Sequence, residues 1–173
     1  DLSAVVTGML LGMNLPPTIN PLYGVIGSFV AIGIAKQLFG GIGQNFANPA
    51  IVGRIVLMLS FTASMSTWCK PFYYLSGADV VTGATPLVSK DADYLSLLLG
   101  TTGGCIGETC AIALIAGGIY LIAARIITPH APVAFIGTVF LLTLIAGDDP
   151  IYAVLSGGLI IGAFFMATDY ATT

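Results

Sequence analysis

Residues 132–146 read PVAFIGTVFLLTLIA, an apolar run without a charged side chain. A helix needs about 20 predominantly apolar residues to cross a bilayer, and this run is somewhat shorter. Six such runs occur along the chain, at residues 2–13, 22–39, 49–65, 108–126, 132–146 and 151–167. The pattern predicts an all-α, polytopic integral membrane protein in which several spans are short or broken.

The composition agrees with a membrane environment. Of the 173 residues, 57% are hydrophobic and 8% are charged, and the mean hydropathy is +0.99, whereas a soluble domain usually contains about 25% charged residues. The 22 glycines and 9 prolines are typical of membrane helices that pack closely or break. A net charge of −3 without a basic run gives nucleic acid no electrostatic support as a partner.

Helix-start signals open several of the apolar runs. An acidic or amide side chain, often followed by proline, is typical of a first turn, because its oxygen accepts hydrogen bonds from free backbone amides. We expect such starts at Asp1-Leu2-Ser3, Asn48-Pro49, Glu108-Thr109 and Asp149-Pro150.

The two halves of the chain resemble each other. Residues 1–11 (DLSAVVTGMLL) are similar to residues 108–118 (ETCAIALIAGG), and residues 15–32 are similar to residues 127–142. The third pair is Asn48-Pro49 and Asp149-Pro150. Each copy contains an odd number of spans, so the second copy enters the membrane from the opposite side, which is the inverted-repeat arrangement of many transporters.

This repeat predicts three parts. Residues 1–66 and 108–173 form membrane repeats of three spans each, and residues 67–107 form an extracytoplasmic loop between them. The chain opens with DLS and closes with TDYATT, so we expect a fragment of a longer polypeptide that is truncated within its first repeat. With the loop outside, Lys36, Arg54 and Arg125 lie near the inner face and only Lys70 and Lys90 oppose the positive-inside rule.

The loop between the repeats contains the sequence DVVTGATPLVSK at residues 79–90. Its first part has the form D-x-x-[ST]-G-A-T, which presents hydroxyl groups on a turn of small residues. Gly83 and Ala84 leave room for a bulky adduct on Thr85, and Pro86 stiffens the exit from the turn. The pattern indicates a threonine that is accessible to a modifying enzyme.

At this point the sequence resembles the RnfD/NqrB family of membrane proteins. RnfD is a membrane component of the Rnf electron transport complex, and NqrB is its relative in the sodium-translocating NADH:quinone oxidoreductase. The motif DVVTGATPL carries the resemblance, together with FGGIGQNFANPAIVGR at residues 39–54, GGCIGETCAIAL at residues 103–114 and MATDY at residues 166–170. The TGATPL and ATDY forms are closer to those of RnfD.

The resemblance implies a flavoprotein. Thr85 would carry FMN through a phosphoester bond, and Asp79, Thr82, Gly83 and Ala84 would form the motif that a dedicated flavin transferase recognises. A non-covalent riboflavin is implied as well. The chain would then be a subunit of an ion-translocating ferredoxin:NAD oxidoreductase, or of the related NADH:quinone enzyme, in the cytoplasmic (inner) membrane of a prokaryote. Its partners would be the other membrane and soluble redox subunits, and a sodium ion or proton.

Other polar residues have two interpretations. Five of them either cap helices at the membrane surface or line an ion path or second flavin site, namely Asn45, Asn48, Glu108, Asp148 and Asp149. Trp68, Phe72, Tyr73 and Tyr74 either pack on the flavin ring or form an interfacial aromatic belt. We predict no catalytic nucleophile and no metal site, because the three cysteines have neither a zinc spacing nor the four thiolates of an iron–sulfur cluster.

Two other classes of function are compatible with the spans. A small-solute channel or transporter would share the inverted repeat and bind no flavin, and a scaffold for redox subunits would need neither feature. Neither class has a reason to keep the D-x-x-T-G-A-T loop.

Overall fold

A computed structural model describes residues 2–69, 71, 85–90 and 92–169 of the chain. The secondary-structure elements in these residues are all helices. The all-α prediction is therefore confirmed for this part of the chain. None of the helices described here has both the length and the hydropathy that a membrane span requires.

Most helices follow the apolar runs, and two short ones, Pro86–Ser89 and Tyr94–Leu99, lie in the segment predicted as the loop between the repeats. In chain order they are α1 (Ser3–Met13), α2 (Pro21–Phe29) with the π-helical segment π1 (Val30–Gln37), α3 (Pro49–Ser60), α4 (Thr62–Met65), α5 (Pro86–Ser89), α6 (Tyr94–Leu99), α7 (Ala111–Ala123), α8 (His130–Ala146), α9 (Pro150–Leu155), and α10 (Leu159–Ile161) with the π-helical segment π2 (Gly162–Met166).

Two of the apolar runs are broken, as the glycine and proline content predicts. The run at residues 49–65 is interrupted at Phe61, between α3 and α4. The run at residues 151–167 is interrupted at Ser156 and Gly157, where the backbone is first extended and then left-handed, with φ of +71° at Gly157. A left-handed backbone favours glycine because glycine lacks a Cβ.

Two predicted helix starts are confirmed and share one geometry. The Asn48 Oδ1 accepts hydrogen bonds from the backbone amides of Ala50 (2.9 Å) and Ile51 (3.3 Å), and proline follows at the first helical position. The Asp149 Oδ1 accepts from Ile151 (3.0 Å) and Tyr152 (3.2 Å) before α9.

The predicted start at Glu108-Thr109 is wrong. Helix α7 begins at Ala111, and Cys110 precedes it without a side-chain cap. The Glu108 Oε1 instead accepts a hydrogen bond from the Cys105 amide at 2.8 Å, which closes a turn before the helix. The start expected at Asp1 lies outside the described residues, and Leu2 at the N-cap position of α1 gives no side-chain cap.

The helices pack into two compact units. The first contains the described residues up to Thr67 together with Asp169, and the second runs from Trp68 to Thr168. In the first unit, α3 contacts α1, α2 and π1. In the second, α9 contacts α6, α8 and α10, and α7 contacts α6, α10 and π2.

Glycines allow the closest of these helix contacts. A Cβ at Gly53 of α3 would lie 2.8 Å from the carbonyl oxygen of Gly27 in α2 and 3.1 Å from the Cβ of Ala31. A Cβ at Gly118 of α7 would overlap the ring of Phe164 in π2. Small residues at helix interfaces let backbones approach closely, which is how helices associate where lipid removes the hydrophobic driving force.

We expect Gly53→Ala to destabilise the first unit by about 1–3 kcal/mol, the usual cost of overpacking a core, because the new methyl group meets a backbone oxygen that cannot move aside. Gly8→Ala is the matched control. Gly8 lies in α1 with open space around its Cβ position, so alanine there should stabilise the helix by about 0.5–1 kcal/mol. Thermal unfolding of the two purified variants measures the difference, and equal midpoints would contradict the close α2–α3 contact.

Candidate functional site

Thr85 lies directly before a short helix of the second unit. It occupies the N-cap position of α5 with an extended backbone (φ −67°, ψ 155°), and Pro86 takes the first helical position. Thr85 is partly exposed, whereas Pro86 is buried. Thr85 is therefore followed directly by a buried backbone position.

Two hydrogen bonds hold the carbonyl group of Pro86. The carbonyl oxygen of Pro86 accepts a hydrogen bond from the hydroxyl group of Tyr152 in α9 at 3.0 Å. The same oxygen accepts from the backbone amide of Lys90 at 2.9 Å, which closes α5. A carbonyl oxygen has two lone pairs, so both bonds can form together. The Thr85 segment is thereby attached to α9.

A cavity of about 460 Å³ lies beside this attachment. Its volume is within the range of roughly 300–1,000 Å³ that is typical of small-molecule sites. The rings of Tyr94 and Tyr152 stand edge to face on its wall, with centroids 6.3 Å apart and planes at 72°. The full lining consists of Leu87, Lys90, Ala92, Asp93, Tyr94, Thr143, Asp148, Asp149, Tyr152 and Ala153.

A hydrogen bond joins two sides of the cavity. The Tyr94 hydroxyl group donates to the Asp149 carboxylate, whose other oxygen caps α9. This bond from Tyr94, with the amide bonds from Tyr152 and Ile151, lowers the pKa of Asp149 below its ordinary value. The same bond raises the pKa of the Tyr94 phenol. Asp149 is therefore an anion at neutral pH and Tyr94 is neutral.

An ion pair lies on the same cavity wall. The Lys90 Nζ is 2.7 Å from the Asp148 Oδ1, and both side chains are more than half exposed. The hydrogen bond to Asp148 and its charge raise the pKa of Lys90. Exposed ion pairs contribute little to stability because water screens them. The pair thus supplies polar groups to the cavity without holding the fold together.

The structure brings some of the predicted site residues together. Asp148 and Asp149 line the cavity beside the Thr85 segment. Asn45 and Asn48 belong to the first unit, and Glu108 forms its own turn in the second. Asp79, Thr82, Gly83 and Ala84 lie outside the described residues, as do Phe72, Tyr73 and Tyr74. Trp68 is partly buried.

The first unit contains a polar cluster of its own. Asn45 is buried in the loop before α3, and the Asn48 Nδ2 donates to the Asp169 Oδ2 at 3.2 Å. The Lys36 side chain is buried in π1, where its Nζ donates to the Ser3 Oγ at 2.6 Å and its charge interacts with Asp169. The burial of Lys36 was not predicted from the sequence.

Arg54 also bonds inside the first unit. Its Nη1 donates to the Asn14 Oδ1 at 2.7 Å, and the Asn14 Nδ2 in turn donates to the Leu10 carbonyl oxygen at 2.7 Å. Asn14 is almost fully buried. A buried amide stabilises a neighbouring charge only when its own hydrogen bonds are also made, and both are made here.

The chain is similar to known proteins over its whole length. The model of the NQR2, RnfD, RnfE family matches residues 1–173. The chain is 46% identical over 194 residues to the D subunit of a proton-translocating ferredoxin:NAD(+) oxidoreductase complex from Clostridium ljungdahlii, covering 99% of this chain and 58% of that protein. It is also 46% identical over 182 residues to the D subunit of a Na(+)-translocating ferredoxin:NAD(+) oxidoreductase complex from Acetobacterium woodii, covering 100% of this chain and 56% of that protein.

The chain belongs to the NQR2, RnfD, RnfE family. The resemblance found in the sequence motifs is thereby confirmed. A third relative, the D subunit of an ion-translocating oxidoreductase complex from Rhodobacter capsulatus, is 38% identical over 212 residues, covering 100% of this chain and 59% of that protein. The chain spans a little more than half the length of these family members.

The residues around Thr85 fit the flavin that the family resemblance implies. The threonine is partly exposed, as attachment requires, and Leu87, two residues further on, lines a cavity that contains two aromatic rings. Sequence reasoning missed Tyr94 and Tyr152, because they are separated by 58 positions and share no motif. The sequence contains one signal for Tyr152, which follows the predicted site residue Asp149 by one helical turn.

The Tyr94–Asp149 bond should make stability depend on pH at both extremes. Because the folded pKa of Asp149 is lowered from 3.8, its stabilisation is present above that pH and is lost as the pH falls through the folded value. Because the folded pKa of Tyr94 is raised from 10.0, its stabilisation is present below that pH and is lost as the pH rises through the folded value.

Tyr94→Phe removes the donor, so the gap in unfolding temperature between wild type and this variant should be constant near neutral pH and shrink at both ends. Tyr120→Phe, at an exposed tyrosine of α7, is the matched control and should show no such profile. A gap for Tyr94→Phe that is the same at pH values below 3.8 as at neutral pH would contradict the bond to the Asp149 carboxylate.

Proposed function

We propose that this chain is part of a membrane subunit of an ion-translocating oxidoreductase complex and carries FMN as a phosphoester on Thr85. The observation that carries the proposal is the position of Thr85, the last threonine of the D-x-x-T-G-A-T motif, two residues before Leu87, which lines a cavity together with Tyr94 and Tyr152. Membership of the NQR2, RnfD, RnfE family supports it.

Exposed apolar side chains support a membrane location. On α8 the side chains of Val133, Leu141, Leu142, Leu144 and Ile145 are each more than half exposed. Soluble monomers rarely expose contiguous apolar patches larger than a few hundred Å². A polytopic arrangement with inverted repeats would place these side chains in lipid, and the similar caps at Asn48 and Asp149 are consistent with a repeat.

Attachment requires chemistry at one atom of this chain. The Thr85 Oγ would attack the flavin-side phosphorus of a flavin dinucleotide and lose its proton to a base of the flavin transferase. The P–O bond to the other phosphate would break, and the nucleoside monophosphate half would leave. Bound FMN would supply one- and two-electron transfer, while the protein positions the cofactor and tunes it. A covalent bond to Thr85 would prevent loss of the cofactor to the extracytoplasmic side.

The names of the relatives indicate which partners this chain would have. Two of them are subunits of ferredoxin:NAD(+) oxidoreductase complexes, one translocating protons and the other Na(+). We extend to this chain the role of passing electrons between redox subunits in a prokaryotic cytoplasmic membrane, coupled to one of these ions. A non-covalent riboflavin remains a prediction, as does an ion path or second flavin site that involves Asn45, Asn48, Glu108, Asp148 or Asp149.

Thr85→Ala should abolish covalent flavin. Wild type and variant are each produced with a flavin transferase, denatured and separated on a gel that is viewed under ultraviolet light. The wild-type band should fluoresce and the Thr85→Ala band should be dark, because alanine has no oxygen to form the ester. Thr85→Ser is the matched control that keeps the hydroxyl group, and it should retain fluorescence.

A dark wild-type band, with a transferase that modifies a control substrate, would remove the redox role. The small-solute transporter, which needs no flavin, would then become the better explanation of the spans.

A further inference from the structure

We propose that the break between α9 and α10 is a binding site for a monovalent cation, with the Ser156 hydroxyl group and free backbone carbonyl oxygens as its ligands. The site is separate from the cavity described above, because Ser156 and Gly157 do not belong to the cavity lining. It does not depend on flavin attachment. It rests on the proposed function in one respect, the choice of Na⁺ as the cation, since that function includes translocation of Na⁺ or protons.

The break interrupts an apolar run. Helix α9 begins with the same cap geometry as α3, yet α9 ends after 6 residues whereas α3 continues for 12. The chain then passes through Ser156, which is extended (ψ 143°), and Gly157, which is left-handed (φ +71°). A Cβ at Gly157 would also lie 2.7 Å from the Leu87 Cδ1, so the break requires glycine. Many membrane transporters coordinate Na⁺ or protons at such interrupted helices.

The Ser156 side chain is buried at this break. It is 2% exposed, and its Oγ has no hydrogen-bond partner in the part of the chain that the structure describes. A buried hydroxyl group without a hydrogen bond has lost its hydration without compensation, and such groups are rare in folded proteins. A cation that binds to the lone pairs of this oxygen would replace the lost interaction with water.

Hydroxyl groups in the neighbouring helix behave differently. In α8, the Thr138 and Thr143 hydroxyl groups each donate to the carbonyl oxygen four residues earlier, both at 2.7 Å. This is a common way to satisfy a hydroxyl group in a helix. The equivalent acceptor for Ser156 is the Tyr152 carbonyl oxygen, which instead accepts from the Ser156 backbone amide at 2.9 Å. The Ser156 hydroxyl group is therefore available to a ligand.

Carbonyl oxygens at the end of α9 are available as well. The last residues of a helix leave carbonyl oxygens without intrahelical partners, and these oxygens point toward the C-terminal end. Among the described residues, no backbone amide donates to the carbonyl oxygens of Ala153, Val154 or Leu155. Three carbonyl oxygens and the buried hydroxyl oxygen of Ser156 thus belong to one break in the helix.

The chemistry of these oxygens favours a monovalent cation. Hydroxyl and carbonyl oxygens are neutral, whereas protein sites for Ca²⁺ usually include carboxylates. The described residues contain no group of three or more histidine, cysteine or acidic side chains that could hold a metal ion. The Asp149 carboxylate caps the opposite end of α9, and a helix of 6 residues is about 9 Å long. A divalent cation at the break would therefore lack charged ligands.

The test measures unfolding of the purified chain in detergent, in NaCl and in choline chloride at equal ionic strength. Choline controls for ionic strength, because it is too large for a site inside a helix break. Ser156→Ala removes the hydroxyl group. Ser156→Cys replaces the oxygen with sulfur, a poor ligand for hard cations such as Na⁺. Ser96→Ala, at a partly buried serine of α6, is the matched control. Binding of radioactive Na⁺ to the same samples gives the dissociation constants.

Na⁺ should raise the unfolding midpoint of wild type and of Ser96→Ala by several degrees relative to choline, because a ligand that binds only the folded state stabilises it. Ser156→Ala and Ser156→Cys should lose most of this rise, and their dissociation constants for Na⁺ should be severalfold higher. In choline chloride, Ser156→Ala should unfold no earlier than wild type, because it removes a buried hydroxyl group that has no cation to bind.

Equal wild-type midpoints in the two salts would overturn the cation site. A Na⁺ response that both Ser156 variants keep in full would also overturn it, since Na⁺ would then bind elsewhere. If Ser156→Ala fails to fold, it loses its sharp thermal transition, and Ser156→Cys decides the outcome. None of these measurements needs a flavin, so failure of the cation site leaves attachment at Thr85 intact, and a dark wild-type band on the denaturing gel leaves the cation site intact.

Discussion

The hydrogen bond from Tyr152 to the carbonyl oxygen of Pro86 is the contact on which the candidate site depends. It joins residues 66 positions apart and attaches the segment that begins at Thr85 to the helix that begins at Pro150. Because the φ angle of Pro86 is restricted, the backbone after Thr85 has little freedom, and the bonds from Tyr152 and from the Lys90 amide to the Pro86 carbonyl oxygen restrict it further. Tyr152 also lines the cavity, together with Tyr94 and with the ion pair of Lys90 and Asp148.

The helix caps at Asn48 and Asp149 have the same local geometry but different second hydrogen-bond partners. Asn48 and Asp149 each accept two backbone hydrogen bonds and each precede a proline. Asn48 also donates to Asp169 inside the first unit, whereas Asp149 accepts from Tyr94 at the cavity. Capping therefore leaves part of each side chain available for a second contact. The interpretation of these residues as caps is correct, and it does not compete with the ion-path interpretation, which stays a prediction.

Buried charge is the other feature that the tertiary structure revealed. Burying an ammonium group costs much free energy unless it is paired and hydrogen-bonded. Lys36 donates one hydrogen bond to the Ser3 hydroxyl group, 33 positions away in the sequence, and its charge interacts with Asp169. Its sequence neighbours are apolar residues of a helical run, and a lysine in such a run is equally compatible with an exposed or a buried position. No local pattern could have decided between them.

Local signals in the sequence were sufficient for the helical class, the positions of the apolar runs, the two Asn/Asp-Pro helix starts and the family, because hydropathy, proline geometry and motif order act over a few residues. They were insufficient for the start of α7, since whether Glu108 caps a helix or closes a turn depends on which amides lie within reach of its side chain. They were also insufficient for Tyr94 and Tyr152. What the amino-acid sequence determined by itself was the Thr85 hydroxyl group in its motif. Only tertiary packing decided that Tyr94, Asp149 and Tyr152 line one cavity with Leu87, because the free energy of a contact between residues 55 positions apart, such as Tyr94 and Asp149, depends on the path of the whole chain between them.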